Sequence, residues 1–272
     1  MTNFGRTAYV VRLYLCSVFY VKLKSNEMKI TEIKGNVTNV KVFKPIQYLN
    51  VTGWGKSLSG KTLRVRLVNS ETGRVEEIIP SMDLGVLAEI TSMNEGFFIS
   101  DGTKYNVNVM LHPTSAINLS NDKYLEVDLM GVGEEELVSM YGLESPVIDK
   151  DFVCRYNKFY MAAGELQKTF SVGENENLVI PKESFEEVVL HYKNGSSCTY
   201  TTHEIEALMN LKNDIVCAYG RGACMGDPES AWIYFGSRYM YGLDVSEVSD
   251  FTLRRTNSTE SFEVVMIDTI KE

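Results

Sequence analysis

The sequence has few of the residues on which enzymes and metalloproteins most often rely. It contains three histidines, His112, His191 and His203, in 272 residues. No H-E-x-x-H, G-x-S-x-G or C-x-x-C motif occurs in it, so the usual signatures of zinc hydrolases, nucleophile elbows and paired-cysteine sites are missing. We therefore predict no catalytic residues, no cofactor-binding residues and no metal-binding residues.

Cysteine and positive charge are also scarce. Five cysteines are an odd number without the regular spacing of a disulfide framework, which favours reduced thiols in a chain that folds in a cytosol. Cys217 and Cys224 either pair across a loop or are buried or idle thiols. The net charge of −9, from 27 basic and 36 acidic side chains, argues against a broad face for binding nucleic acid.

No apolar run is long enough to span a bilayer as a helix. Near the N-terminus, Tyr9–Val21 is apolar apart from Arg12 and Ser17, which makes it too short and too interrupted for a transmembrane helix. Residues 1–27 are treated as a basic, apolar N-terminal segment with three open interpretations. The first interpretation is that the segment rests on an anionic membrane surface. The second is that it forms an extra strand, and the third is that it precedes a natural start at Met28.

From Met28 onward the chain is rich in alternating apolar and polar residues, which is the period of a β-strand. Two segments instead predict short helices: Met82–Met93, with Ser81 as its N-cap, and His203–Lys212, with Thr202 as its N-cap. Turn residues separate the predicted strands, which are Val37–Phe43, Gln47–Thr52, Leu63–Val68, Arg74–Ile79, Gly96–Ile99, Lys104–Leu111, Tyr124–Val132, Val153–Ala162, Lys168–Val172, Leu178–Ile180, Val188–Lys193, Cys198–Thr201, Ile215–Tyr219, Ala231–Tyr241, Phe251–Arg255 and Phe262–Ile270.

One pattern occurs twice in the chain. Leu63–Ile90 and Val188–Leu211 both read as a strand, a turn, a second strand and a helix. The closing strands Tyr124–Val132 and Phe262–Ile270 also align, which leaves 16 extra residues in the second half, around a glycine-rich loop at 220–230. Many short strands of even spacing in two similar halves predict a duplicated β-sandwich.

The repeat divides the chain into residues 28–133 and 149–272. Between them, the acidic segment 134–148 is interpreted as a linker or short helix. Leu87 and Leu208 then occupy equivalent helix positions in two separate cores. Truncating either leucine to alanine is expected to have a similar cost, and the two costs should add.

The string "GKSLSGKT", Gly55–Thr62, matches the phosphate-binding pattern G-x-x-x-x-G-K-[ST]. A P-loop needs a helix that begins at its Lys-Thr pair and directs backbone N–H groups at phosphate. Here Leu63, Val65 and Leu67 alternate with polar residues as in a strand. We therefore predict a hairpin loop in which Lys61 is a solvated charge, and we expect Lys61→Ala to change stability by no more than about 0.5 kcal/mol.

A duplicated β-sandwich of this length, with a helix late in each half, resembles the double jelly-roll major capsid proteins of tailless, membrane-containing icosahedral bacteriophages, of the corticovirus and finnlakevirus type. The resemblance covers most of residues 30–272. It rests on the paired segments 63–90 and 188–211 and on the two closing strands, without a signature residue. It implies a mainly β fold of two tandem jelly-roll β-sandwiches, each with one short helix after its fourth strand.

For function, the resemblance implies a structural protein that is not an enzyme. Members of this family form homotrimers of pseudo-hexagonal outline, which tile an icosahedral shell over an internal membrane. The implied partners are other copies of the chain, neighbouring capsomers, penton or minor capsid proteins and, for the N-terminal segment, the internal viral membrane. No specific nucleic acid is expected. The implied location is the capsid of the virion, after folding in the host cytoplasm.

Two other functions stay open at this point. A two-domain β-sandwich adhesin or carbohydrate-binding protein would use Trp54, Trp232 and some of the 15 tyrosines as an exposed aromatic platform. A P-loop nucleotide-binding protein would account for Gly55–Thr62, although the strand predicted after Thr62 argues against it.

Overall fold

The computed structural model describes most of the chain from Glu27 onward. The described residues are 27–54, 58, 60–95, 99–100, 104–112, 115–145, 147–149, 152–182, 184–212, 240–257 and 259–271. The predictions for residues 1–26, for Cys217 and Cys224, and for the loop at 220–230 lie outside them. Within the described ranges, no helix is long and apolar enough to cross a membrane.

Strands dominate the first half of the chain. In several of them, apolar side chains alternate with polar ones, as where Leu63, Val65 and Leu67 are buried and Arg64 and Arg66 are partly exposed. The elements are β1 Glu27–Lys34, β2 Val37–Val42, β3 Tyr48–Trp54, β4 Thr62–Asn69, β5 Arg74–Asp83, α1 Leu84–Glu95, β6 Ile99–Ser100, β7 Lys104–Met110, β8 Ala116–Ile117, β9 Lys123–Met130 and β10 Leu137–Leu143.

The second half is built from the same kinds of element. After a short first strand, a run of longer strands leads into a helix, and further strands follow it. These elements are β11 Ile148–Asp149, β12 Phe152–Met161, β13 Gln167–Ser171, β14 Asn177–Pro181, β15 Glu187–Tyr192, β16 Ser197–Thr201, α2 Thr202–Lys212, β17 Met240–Asp244, β18 Val248–Arg254 and β19 Phe262–Lys271.

The two halves have the same strand order. The first half forms a sheet of order β1-β10-β3-β7-β6 and a second sheet of order β2-β9-β4-β5. The second half forms β12-β19-β14-β17 and β13-β18-β15-β16. Apart from β6 and the short pair β8 and β11, each described strand of one half has a counterpart at the same place in the other. This confirms the predicted mainly β fold of two tandem jelly-roll β-sandwiches.

The structure matches the closing strands of the two halves differently from the sequence alignment. Strand β9 lies between β2 and β4, and the strand in that position in the second half is β18. Strand β19 is instead the counterpart of β10. Aligning 124–132 with 262–270 is therefore wrong. The 16 extra residues assigned to the second half depended on that alignment, so that assignment is wrong as well. Each of these closing strands carries several apolar residues, so apolar content alone does not show which strand corresponds to which.

Residues 134–148, interpreted as a linker, contain a strand of the first jelly roll. Strand β10 pairs antiparallel with both β1 and β3, and its Val138, Met140 and Gly142 are buried. The three glutamates at 134–136 directly precede this strand, and this acidic run led to the interpretation of the segment as a linker. We propose that the chain passes between the two jelly rolls at 144–151, where β11 pairs in parallel with β8.

The first helix begins two residues later than the sequence predicts. Helix α1 starts at Leu84 because Asp83 caps it: the Asp83 Oδ1 atom accepts the N–H of Gly85 at 2.8 Å and that of Val86 at 3.3 Å. Asp83, rather than Ser81, is therefore the N-cap. The helix follows the fifth strand of its half rather than the fourth, since β1 opens that half.

The second helix begins with a capping box. The Glu204 N–H donates to Thr201 Oγ1 at 3.3 Å, and the Thr201 N–H donates to Glu204 Oε2 at 2.8 Å. These two bonds satisfy backbone donors at both ends of the first turn. Thr201 is thus the cap in place of Thr202, and α2 follows β16, which is the fifth strand of its half after the short β11.

Buried apolar side chains form two clusters, one centred in each jelly roll. Leu84, Leu87 and Ile90 of α1 belong to the first cluster. Ile205 of α2 belongs to the second, while the side chain of Leu208 lies outside the described part. The two helices therefore contribute to separate cores.

The first cluster continues across the junction between the jelly rolls. On β19, Val264 and Met266 belong to the second core, whereas Val265 and Ile267 belong to the first cluster. Because successive side chains of a strand point to opposite faces, the sheet β12-β19-β14-β17 is buried on both faces. The two jelly rolls are held together by this apolar contact.

Hydrogen bonds from β12 add direction to the apolar contact. The Tyr156 hydroxyl donates to the carbonyl of Met110 at 2.7 Å. The Lys158 ammonium donates to the carbonyl of Ser81 at 2.7 Å. Since both acceptors are backbone atoms of the first jelly roll, these bonds define how the second jelly roll is oriented against it.

The backbone at Gly131 passes close to the loop before β4. Its φ is +81°, and a Cβ placed there would lie 2.1 Å from the carbonyl oxygen of Gly60. We expect Gly131→Ala to lower the free energy of unfolding by about 2–5 kcal/mol, because left-handed strain and overpacking add. Equilibrium unfolding in urea measures the loss.

Gly73→Ala is the matched control for that variant. Gly73 has a φ of +69°, but nothing lies within 4 Å of a Cβ placed there. Gly73→Ala therefore has the same backbone strain without the steric clash, and it should lower the free energy of unfolding by about 1–2 kcal/mol. Equal losses in the two variants would contradict the close approach of Gly131 to Gly60.

The separation of the two cores is testable with Leu87→Ala and Ile205→Ala. Each side chain is 1% exposed, so each truncation should lower the free energy of unfolding by about 2–5 kcal/mol. The double variant should lose the sum of the two within about 0.5 kcal/mol, because the side chains belong to different clusters. Urea unfolding of all three variants decides this, and a markedly larger coupling would show one shared core.

Candidate functional site

The P-loop-like string runs into a strand. Of Gly55–Thr62, the structure describes Leu58 and residues 60–62, and Thr62 is the first residue of β4. The Lys61 carbonyl accepts the N–H of Leu84 at 2.8 Å. The predicted strand after Thr62 is confirmed, although the loop joins two different sheets rather than closing a hairpin. The Lys-Thr pair therefore does not begin a helix that would bind phosphate.

Lys61 is buried rather than solvated. It is 6% exposed, and its Nζ lies 3.2 Å from Glu136 Oε2 and 5.5 Å from the centre of the Tyr105 ring. Burial, followed by the nearby Glu136 carboxylate, raises the pKa of Tyr105. The expectation of a solvated charge is wrong, because Glu136, the partner of Lys61, comes from a distant part of the chain and pairs with a Lys61 side chain that is 7% exposed.

Ion pairs cover the outer face of the sheet β2-β9-β4-β5. The Arg64 guanidinium lies 2.6 Å from Asp128 Oδ2, and the Asn39 N–H donates to Asp128 Oδ1 at 2.7 Å. Burial alone would raise the pKa of Asp128, but Asn39 and Arg64 outweigh it and hold that pKa below its usual range. We call this surface the charged face; it consists of Lys41, Arg64, Arg66, Glu126 and Asp128.

A row of apolar side chains crosses the same sheet beside the charged face. The strand register places Val68 opposite both Tyr124 and Val75, and the rings of Phe43 and Tyr124 are 5.1 Å apart. Phe43 is 42% exposed and Val75 is 57% exposed. This apolar row (Phe43, Tyr124, Val68 and Val75), bordered by charges, is typical of a protein–protein contact surface.

The outer face of β1-β10-β3-β7-β6 carries hydrogen-bonded amides. The Asn50 amide donates to Oδ1 of Asn106 at 2.5 Å and to Oδ1 of Asn108 at 2.7 Å, and Thr52 Oγ1 donates to Asn50 Oδ1 at 3.0 Å. The register of β3 and β7 brings these side chains together. This amide face (Asn50, Thr52, Asn106 and Asn108) presents donors and acceptors at a flat, exposed surface.

The three histidines do not come together. His112 is buried after β7, and His203 is exposed on α2. On β15, His191 Nδ1 lies 2.9 Å from Ser197 Oγ, and its Nε2 lies 3.9 Å from the nearest oxygen of Asp250. That distance is too long for the hydrogen bond that orients histidine in a Ser-His-Asp triad. His191, Ser197 and Asp250 are therefore neighbours on the adjacent strands β15, β16 and β18, and they do not form a catalytic triad.

The described residues contain no group of three or more His, Cys, Asp or Glu side chains placed to hold a metal ion. The two cysteines in the described part, Cys154 and Cys198, form no disulfide there, and one is buried and the other exposed. The expectation that the chain has no catalytic, cofactor-binding or metal-binding residues stays a prediction.

The sequence does not reveal the charged face, the apolar row or the amide face. Each surface joins side chains from strands that are distant in the chain and adjacent in a sheet. Alternation indicates that Asn50, Arg64 and Val75 occupy outward positions. Only the register decides which side chains lie next to them.

The buried ion pair predicts a marked effect of Lys61→Met. This variant leaves the Glu136 carboxylate buried without its partner, so the free energy of unfolding should fall by about 3–5 kcal/mol. The double variant Lys61→Met/Glu136→Leu should recover most of the loss, because it removes both charges and keeps the volume. Urea unfolding of the two variants and the wild type measures both effects.

Lys41→Met is the surface control. Its ammonium lies 3.9 Å from Glu126, and the Lys41 side chain is 46% exposed, so its loss should cost no more than about 0.5–1 kcal/mol. The interpretation would reverse if Lys61→Met were as mild as Lys41→Met and at the same time abolished magnesium-dependent ATP binding.

Similarity to known proteins is found in structure and not in sequence. No protein-family model and no curated protein matches the chain. Among solved structures, the major capsid protein P2 from bacteriophage PM2 is 10% identical, with a TM-score of 0.57 over 90% of this chain and 98% of that chain. The structure of broad bean stain virus is 7% identical, with a TM-score of 0.37 over 92% of this chain and 90% of that chain.

A third structure, the exported protein XepA of PBSX, is 9% identical, with a TM-score of 0.25 over 92% of this chain and 88% of that chain. The TM-scores of XepA and of broad bean stain virus are too low to establish a shared fold. The likeness to P2 extends over almost the whole of both chains, and at 10% identity it concerns the fold. This chain, built as two tandem jelly rolls, therefore shares its fold with the major capsid protein of bacteriophage PM2.

Proposed function

We propose that this chain is the major capsid protein of a tailless, membrane-containing icosahedral bacteriophage. The observation that carries the proposal is the fold shared with the P2 major capsid protein over 90% of this chain and 98% of that one. The match includes both jelly rolls, so it concerns the duplicated arrangement and not a single sandwich.

Duplication suits a protein that forms a shell. Three copies of a two-roll chain place six similar sandwiches around a three-fold axis, and their combined outline is nearly hexagonal. Hexagonal units tile a surface with closed contacts on every side. Such a protein needs self-complementary sides rather than a catalytic centre, and we propose that it acts as a homotrimer without enzymatic activity.

The outer faces of the first jelly roll support this role. The apolar row combines exposed Phe43 and Val75 with a border of charged side chains. Interfaces between proteins have an apolar, aromatic centre and a polar rim in which hydrogen bonds are formed. We propose that the outer sheet faces supply contacts between chains, the apolar row as a centre and the charged face as a rim.

The finer features of the proposal concern partners and location. We propose that the trimers meet neighbouring capsomers and penton or minor capsid proteins within the virion. The basic, apolar segment 1–27 is proposed to contact an internal viral membrane, because cationic and aromatic side chains favour an anionic lipid surface. Folding before assembly is proposed to take place in the host cytoplasm, and no specific nucleic acid is bound.

The amide face favours a second candidate function. Side-chain amides and hydroxyls at Asn50, Thr52, Asn106 and Asn108 are the donors and acceptors that sugar hydroxyl groups use. A two-domain β-sandwich adhesin or carbohydrate-binding protein would present such a surface. The nucleotide-binding alternative has no comparable support, because Lys61 is held by Glu136 away from solvent.

The mass of the protein in solution tests the proposal. At high micromolar concentration, light scattering should give the mass of three chains or more, because lone jelly rolls leave apolar surface that association covers. Negative-stain images should show particles with a hexagonal outline. A stable monomer that binds glycans would overturn the capsid proposal in favour of the carbohydrate-binding one.

A further inference from the structure

A cavity of about 210 Å³ lies at the junction between the two jelly rolls. Five of its described lining side chains are apolar: Val86, Val179, Pro181, Met240 and Val265. Val86 comes from α1 of the first jelly roll, and the other four come from strands β14, β17 and β19 of the second.

The cavity is partly open to solvent, so its apolar side chains are in contact with water unless a ligand covers them. Along these five side chains water gains no hydrogen bonds, since none of them supplies a polar partner. Apolar cavities of about 150 Å³ hold a molecule as large as benzene. The junction cavity therefore has room for a compact aliphatic or aromatic group.

Two carboxylates complete the lining, Asp83 and Glu263. Asp83 Oδ1 accepts the backbone N–H groups at the start of α1, and Glu263 Oε1 lies 3.2 Å from the Lys158 ammonium. Each carboxylate has about four lone-pair sites, so both retain capacity to accept further hydrogen bonds. Two carboxylates and one ammonium lie at this wall, so its net charge is negative. It therefore favours a cationic or hydrogen-bond-donating group and disfavours an anion.

We propose that the junction cavity binds a small amphiphile, with its apolar body against Val179 and Val265 and a cationic or hydrogen-bond-donating end beside Asp83 and Glu263. The ligand contacts both jelly rolls, so its binding stabilises their mutual arrangement. This site does not depend on the proposed capsid function, because it follows from the junction within one chain.

The test uses the full chain with ¹³C-labelled methionine methyl groups. Met240 lines the cavity, and its signal is assigned by comparison with Met240→Leu. Hexylamine, hexanol and hexanoate are titrated separately at neutral pH. The Met240 signal should shift saturably with hexylamine, more weakly with hexanol and least with hexanoate. A Met240 signal that no probe moves, or that hexanoate moves as readily as hexylamine, would overturn the proposal.

Variants separate the cavity from its charged wall. Val265→Phe fills the space and should abolish the response to all three probes; Val179→Leu, a smaller change, should weaken it and serves if Val265→Phe does not fold. Glu263→Gln should leave hexanol binding unchanged and reduce the preference for hexylamine over hexanol by about threefold, as expected of a partly exposed ion pair. An unchanged response in either filled variant, or an unchanged preference in Glu263→Gln, would contradict the assignment.

Discussion

The sheet β12-β19-β14-β17 is buried on both faces, and the arrangement of the whole molecule depends on this burial. One face closes the second jelly roll through Val264 and Met266, and the other contacts the first jelly roll through Val265 and Ile267. A strand with apolar residues on both sides has no solvated face. The second jelly roll therefore depends on the first to bury one face of this sheet.

Hydrogen-bonded and ion-paired groups lie both at the junction and within the first jelly roll. Tyr156 and Lys158 donate to backbone carbonyls of the first jelly roll, and Lys61 and Glu136 form a buried ion pair within it. Such groups are unfavourable when buried alone, so each needs its partner at a defined place. They add little net stability, and they specify one arrangement of strands and loops over its alternatives.

The outward faces of the first jelly roll remain on its surface. One face combines ion pairs with the apolar row, and the other presents amides. In the proposed function, contacts between identical copies would use these faces, since every copy presents the same surfaces. The junction cavity has a different character, because it is internal to one chain and is bounded by both jelly rolls.

Part of the candidate site was predictable. The strand after Thr62 follows from the alternation of Leu63, Val65 and Leu67, and this local pattern is enough to exclude a P-loop helix. The environment of Lys61 was not predictable, because Glu136 and Tyr105 reach it from other strands and loops. Strand β10 was missed for a similar reason: its neighbours β1 and β3 establish it, while the acidic residues ahead of it suggest a linker.

The sequence by itself determined most of the described strands, the two helices and the duplication, because alternation and turn residues are local properties that each segment carries alone. Only the tertiary structure decided which closing strand corresponds to which. It also decided that Lys61 is buried and that Val68, Tyr124 and Val75 form one row. These features depend on register and on contacts between distant segments, and many pairings of alternating strands satisfy the same local pattern.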